Sequence, residues 1–504
     1  MRRFAGSWRW VARGILLLAG VGALMAASPS GSTLALNRSQ LPGQIQSLVE
    51  RKGSRSIRWG ICVVRADTGE VLYEYHADDL FIPASNRKLF VTALALDRLG
   101  PDFRFTTPLY LSSPLGDDGR LRGNLIVRGS GDPTFLNPRF HRGSMISPFQ
   151  EWAELLAAKG LRRIEGDLVM DGSGFASSEQ RADGWIKDYE TAEYAPRVSA
   201  VCIATNRVTV NIRPAEEPGK PPSLSLAPPN SAVKIINRAL TGPRRSADTI
   251  VIERENDGPD HLIVSGRIPC GAGEQAQRVP LEQIGLVAGE VFRSVLQKKG
   301  IAIEGAVRAP NGDRATTIAQ EAVVVAQYQS LPLREILAWT NKNSDNYCAE
   351  QLFQAVTFAQ VGRASYAEAK KFEEQFLSRV GILPAAANFE DGSGLSRLNL
   401  VAPRAVVALL CHMANHKDSQ VFRDSLAIAG RDGTLAGRMG KRALGRVRAK
   451  TGCLSMASCL SGYAETRSGV VVAFSILAND CAGRISEACS VQDRICESLV
   501  NTTF

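Results

Sequence analysis

Phe81-Ile82-Pro83-Ala84-Ser85-Asn86-Arg87-Lys88 runs directly into LFVTALALDRLG, residues 89–100. Apolar residues in the second stretch recur at helical spacing and stop at Gly100, a residue suited to ending a helix. Ser85 therefore sits at a helix start, with Lys88 three positions on and facing the same way. A neutral lysine amine so placed can take the hydroxyl proton as the serine oxygen attacks a carbonyl. An exposed lysine is almost fully protonated near neutral pH, so Lys88 must lose charge through burial or a neighbouring cation.

Working outward, Ile57–Arg65 and Glu70–Tyr75 read as two strands joined at Ala66-Asp67-Thr68-Gly69, a β-hairpin just ahead of the serine. From about Asp102 to Ala315 the pattern becomes many short β-like runs, among them NLIVRG, GDLVMDG, RVTVNI and TIVIER, separated by Gly, Pro and Asn. Pro214–Asn230 is rich in proline and reads as an exposed loop or crossover. Helical patterns return at about Thr316, and ASCLSGYAET with GVVVAFSILAND forms a terminal hairpin. The expected architecture is an α/β catalytic domain, residues 36–101 and 316–504, interrupted by a β-rich accessory region, 102–315, of two subdomains.

Two further constellations complete the chemistry. Ser344-Asp345-Asn346 lies between helical patterns, and Lys450-Thr451-Gly452 precedes the terminal hairpin. Lys450 is the natural cation beside Lys88, and Ser344 can pass a proton to a departing amine. Asn346 can hold the substrate backbone or orient a lysine. Lys450 and Thr451 suit a terminal carboxylate. Gly452 lets a strand edge come close, and the amides of Ser85 and Cys453 suit an oxyanion hole. Each tripeptide alone is common; their order and contexts together are not.

Bulk properties exclude other classes. The first residues place Arg2, Arg3, Arg9 and Arg13 ahead of an apolar run, Gly14–Ala27, followed by small residues. This is the order of a secretory signal, assigned to residues 1–35, and the run is shorter than the roughly 20 residues of a membrane span. An exported protein of the periplasm or cell envelope is expected. Ten cysteines, an even number, make disulfides plausible in such a compartment. They match no zinc spacing, and the five histidines form no His-Glu-x-x-His helix, so no metal or other cofactor is expected. The net charge of +10 is scattered without aromatic interleaving, which argues against nucleic acid as a partner. No Gly-x-Ser-x-Gly elbow supports a Ser-His-Asp triad.

With these residues in hand, the chain resembles the D-alanyl-D-alanine carboxypeptidase/endopeptidase family, the class C low-molecular-mass penicillin-binding proteins. The interval from Ser85 to Ser344 takes up more than half of the 504 residues, and members of that family carry extra domains there. GSGDPTF from Gly129, GDLVMDGSGF from Gly166, YAPRVSAVCIATNRVTV from Tyr194, DGSGLSR from Asp391 and GRDGTLAGRM from Gly430 are also family-like. The resemblance implies a penicillin-binding, serine β-lactamase-like domain of antiparallel sheet and flanking helices. It implies peptidoglycan stem peptides as substrates and β-lactams as inhibitors. It also implies that the insertion carries Trp185 and Asp188 to the cleft, where Asp188 would meet the amino end of a diaminopimelyl side chain. Cys453 departs from the small hydroxyl residue relatives commonly have; it can pair with Cys459 or pack as a small apolar residue. Competing readings are a β-lactamase or esterase using the same site, and a non-catalytic wall scaffold.

Overall fold

A six-stranded sheet carries the three constellations, its spatial order being Ala427–Ile428, Val447–Leu454, Ala457–Glu465, Val471–Asn479, Arg58–Arg65 and Val71–Tyr75. Every neighbouring pair is antiparallel. The computed structural model describes residues 36–503, except 142, 177–181, 187–188, 256–257, 259 and 311–321. The expected signal segment, Asp188 and the expected boundary between residues 315 and 316 lie outside the described residues.

The two terminal-hairpin strands and Arg58–Arg65 are buried almost throughout, because helices cover both faces of the sheet. On one face lie the helices Arg87–Leu99, Leu333–Lys342, Asn346–Val361 and Pro403–Ala414, sharing a core that includes Leu94, Leu337, Phe353 and Leu410. The other face packs on Leu41–Val49 and Ile485–Asn501 through Ile45, Phe474 and Leu499. The turn ahead of Ser85 forms as its residues dictate. Gly69 adopts φ +75°, and the Asp67 carboxylate accepts from the Thr68 amide at 2.9 Å. An antiparallel sheet with flanking helices is thus the observed catalytic architecture.

Inserted residues and Val323–Gln329, a strand from beyond the expected boundary, build a five-stranded mixed sheet in the order Val307–Arg308, Leu168–Asp171, Leu125–Arg128, Thr106–Leu111 and Val323–Gln329. Smaller sheets and the helices Ser147–Ala158 and Ile284–Lys298 pack with it around one continuous core from Leu109 to Ile301.

Two expectations are corrected. The proline-rich stretch is not all loop: Ser223–Ala227 is a strand pairing antiparallel with Arg207–Arg213. Its prolines flank the strand, and Ser-Leu-Ser-Leu-Ala keeps the alternation an exposed edge requires. The ten cysteines form no disulfides. Cys62 and Cys459 pack in the core on one face of the sheet, Cys481 and Cys496 in the core on the other, all as small apolar residues. Cys453 cannot pair with Cys459, because Cys453 stands opposite Ser458 and Cys459 opposite Gly452. One residue out of register points them to opposite faces.

Candidate active site

Lys88 lies at the centre of the three constellations. Its helix is buried from Arg87 to Leu96, and the preceding turn of 3-10 helix, Ala84–Asn86, holds Ser85 half-buried at its mouth. Lys88 Nζ lies 2.8 Å from Ser85 Oγ, 2.7 Å from Asn346 Oδ1 and 2.6 Å from the Ser393 carbonyl. Asn346 Nδ2 donates to the Tyr194 carbonyl at 2.8 Å, so both ends of this amide are engaged and its oxygen is held toward the lysine. Of the two roles expected for Asn346, this geometry matches lysine orientation.

Lys450 reaches the site from the sheet. Its Nζ donates to Ser344 Oγ at 2.8 Å and to the Thr451 carbonyl at 2.8 Å. Thr451 Oγ1 donates to Thr434 Oγ1 at 2.8 Å. Asn86, one residue past Ser85, donates to the Lys450 carbonyl at 2.8 Å and accepts from Ser461 at 2.6 Å, fastening the Ser85 turn to the sheet. A Cβ at Gly452 would stand 2.7 Å from the Pro83 carbonyl and 3.0 Å from the Ser85 nitrogen, so only glycine permits this approach. Ala427–Ile428 pairs only as far as Ala449 and Arg448, leaving Lys450–Leu454 an open edge among the described ladders. Cys453 is exposed on that edge. Ser344, bonded to Lys450, and Ala84, next to Ser85, both take left-handed φ values, 55° and 47°, unusual in non-glycine residues.

Burial governs the electrostatics. It pushes Lys88 down to about 8, helped by Arg87 and opposed by Asp391, Glu350 and Asp345. Lys450 is pushed well below its ordinary value by burial and then by the Lys88 charge. Burial is the larger influence on both lysines, and the cation that lowers Lys88 is Arg87 rather than the expected Lys450.

Sequence reasoning missed the layer beneath. The Asp391–Gly394 turn, read only as a family-like motif, supplies the Ser393 carbonyl that holds Lys88. Arg87 donates to the Asp391 carbonyl at 2.6 Å and makes a paired contact with Glu373 at 2.5 and 2.8 Å, its guanidinium stacked between Phe353 and Phe389. Trp185 does reach the site's surroundings: Nε1 donates to Asp391 Oδ2 at 2.9 Å. Asp345 caps the helix Asn346–Val361 through the Cys348 amide and pairs with Arg139 of the inserted region. The only advance signal was the run of Asp, Gly and Ser at Asp391–Ser393, which reads equally as an ordinary turn.

Residues 42–497 match the D-Ala-D-Ala carboxypeptidase 3 (S13) family. The chain belongs to that family. This S13 member is 34% identical over 489 residues to a D-alanyl-D-alanine carboxypeptidase of Actinomadura sp., covering 94% of this chain and 87% of that one. It is 29% identical over 424 residues to the D-alanyl-D-alanine carboxypeptidase DacB of Haemophilus influenzae, covering 82% and 84%. The crystal structure of penicillin binding protein 4 (dacB) from Haemophilus influenzae superposes with a TM-score of 0.76 at 25% identity, covering 90% of this chain and 99% of that one. Family membership makes the chain a serine-type hydrolase of the D-Ala-D-Ala carboxypeptidase class. Among the described residues no helix is long and apolar enough to cross a membrane, and no group of His, Cys, Asp and Glu is arranged to hold a metal.

Proposed function

We propose that Ser85 opens the D-alanyl-D-alanine end, or the cross-link, of peptidoglycan stem peptides through an acyl-enzyme. What carries this reading is the partner set of Lys88. Asn346 Oδ1 and the Ser393 carbonyl can only accept hydrogen bonds, so the two hydrogens of a neutral Lys88 amine go to them. Its lone pair is then left for the one partner able to donate, the Ser85 hydroxyl.

The Ser85 Oγ–carbon bond forms as its proton passes to Lys88. The carbon–nitrogen bond breaks as the departing amine takes the Ser344 hydroxyl proton, which Ser344 recovers from Lys450. Water then attacks the ester, giving its proton back through Ser344 to Lys450, while Lys88 returns the first proton to Ser85. Protons and charges close over the cycle without a cofactor. An anionic substrate terminus raises the proton affinity of Lys450 on arrival and is held with Thr451. The open edge at Lys450–Leu454 takes the peptide as an added strand, with the Ser85 and Cys453 amides facing the carbonyl oxygen. Trp185 and Asp188 serve the third residue of the stem peptide. The 102–315 region is an accessory unit bordering the cleft. A β-lactam enters by the same route and stays as a slowly hydrolysed adduct. The protein acts in the cell envelope after export.

The test is incubation of the enzyme and Ser85→Ala with pentapeptide monomers, cross-linked dimers and benzylpenicillin, followed by mass spectrometry. Released D-alanine or split dimers and a penicillin adduct are expected from the wild type. In the variant, turnover falls by at least about 1,000-fold and the adduct disappears. Rapid penicillin turnover with inert peptides moves the reading to a β-lactamase; no reaction at all moves it to a wall scaffold.

A further inference from the structure

Against the turn that holds Lys88 lies a fully buried carboxylate with no part in the cycle above. Glu350 lies in the second turn of the helix Asn346–Val361 and is 0% exposed. Its Oε1 accepts from the Ser393 amide at 2.7 Å and the Gly392 amide at 3.1 Å, and its Oε2 from the Gly392 amide at 3.0 Å and the Tyr366 hydroxyl at 3.0 Å. Ser393, whose amide it holds, is the residue whose carbonyl holds Lys88 at 2.6 Å.

We propose that Glu350 is a positioning residue for the proton acceptor. Through the Ser393 peptide it fixes where the Lys88 amine points, and through its charge it sets the pH at which that amine becomes free. The inference rests on the reading of Lys88 as proton acceptor.

The turn cannot hold its shape by itself. Gly394 takes φ +89°, and a Cβ there would stand 1.9 Å from the Ala84 carbonyl; one at Gly392 would stand 2.7 Å from the Ala349 carbonyl. Two buried carboxylates clamp the loop from either side. Asp391 accepts from the Gly394 and Ser396 amides at 2.8 and 2.6 Å, while Glu350 takes the two amides between. If either clamp fails, the Ser393 carbonyl turns away and the Lys88 lone pair is no longer confined to Ser85.

The charge works in a definite direction. Facing Lys88 are Arg87 on its own helix, Asp391 and Glu350, and Asp345 at the start of the Asn346 helix; Lys450 approaches from the sheet. Facing Glu350 are Asp391 and Tyr366. Burial and the Asp391 charge push Glu350 up to about 7, with the Ser393 and Gly392 hydrogen bonds opposing them. Anionic Glu350 favours the Lys88 ammonium; removing that charge makes the amine free at lower pH.

The experiment measures the rate of acylation by benzylpenicillin against pH for wild type, Glu350→Gln, Tyr366→Phe and Lys88→Met. Wild type should lose rate as pH falls below about 8, tracking Lys88. In Glu350→Gln the acid limb should move by about one pH unit to lower pH, and the plateau rate should fall roughly 10-fold to 100-fold. Tyr366→Phe, which keeps the carboxylate but removes one of its donors, should move the limb the same way by a smaller amount. A Glu350→Gln profile superimposable on wild type, with only thermal stability lowered, overturns the inference while Lys88→Met remains inactive. Full acylation by Lys88→Met sinks instead the reading of Lys88 on which it rests. If Glu350→Gln does not fold, the Tyr366→Phe profile decides alone, and an unmoved limb there overturns the proposal.

Discussion

Around Ser85 and within the inserted region the chain buries side chains in different proportions of charge and apolar area. Arg87, Lys88, Glu350, Glu373, Asp391 and Lys450 are each 2% exposed or less, packed against one another at the centre of the catalytic part. The inserted core is mainly apolar, with Phe149 stacked on Phe292 at 4.3 Å beside Trp152, Leu168 and Ile284, and its buried charges, such as Asp260 paired with Arg254 at 2.9 Å, lie apart from Ser85 and the two lysines. In the first region each charge depends on a named partner, and loss of one atom changes the chemistry of the next. In the second, loss of atoms leaves a cavity.

The largest effect is expected where a buried charge loses its partner. Burial pushes the Glu373 carboxyl up while Arg87 pulls it down, and the pair holds the turn that carries Asp391. Glu373→Ala leaves the fully buried Arg87 unpaired and should cost about 3–5 kcal/mol. Urea denaturation measures that loss, and penicillin acylation of the folded fraction should fall with it, since Arg87 also anchors the Asp391 carbonyl. An unchanged acylation rate would break the comparison by making the pair purely structural.

Phe292→Ala should cost about 3 kcal/mol through a cavity in the inserted core. Acylation per folded molecule should stay within about twofold, because the site shares no partner with Phe292. A drop comparable to that of Glu373→Ala would show that the two regions are mechanically one.

The same contrast explains what was legible in the sequence. Helix periodicity after Lys88, the hairpins around Asp67 and Ser468 and the three short motifs were all readable, because each is encoded by neighbours a few residues apart. The strand at Ser223–Ala227 was hidden by its flanking prolines, which outweigh a short polar–apolar alternation. The cysteines misled because an even count in an exported chain favours bridges, whereas their pairing depends on which face of a pleat each occupies. Glu350, Glu373 and Arg87 gave no signal: a charged residue inside a helical pattern reads as solvated surface, and its burial follows from partners far along the chain, 286 residues between Arg87 and Glu373 and 43 between Glu350 and Ser393. Arg87 is the sharpest case, since it stands between the two residues assigned to chemistry and still passed as spacing.

The smallest effect should come where the two regions touch through a side chain that is only half-buried. Trp185 belongs to the inserted region, yet its indole N–H ends on Asp391 Oδ2, an oxygen that also takes the Ser396 amide. Trp185→Phe keeps most of the apolar contact with Ile186, Tyr189 and Leu395 and removes this one donor. The Asp391 oxygen retains another partner, so the cost should be about 1 kcal/mol in urea denaturation. Acylation by benzylpenicillin should slow by less than about 10-fold. A loss of more than about 10-fold while stability barely moves would mean that the inserted region acts on the chemistry through the Asp391 turn. The boundary drawn between a charged region that reacts and an apolar one that supports would then run through Trp185.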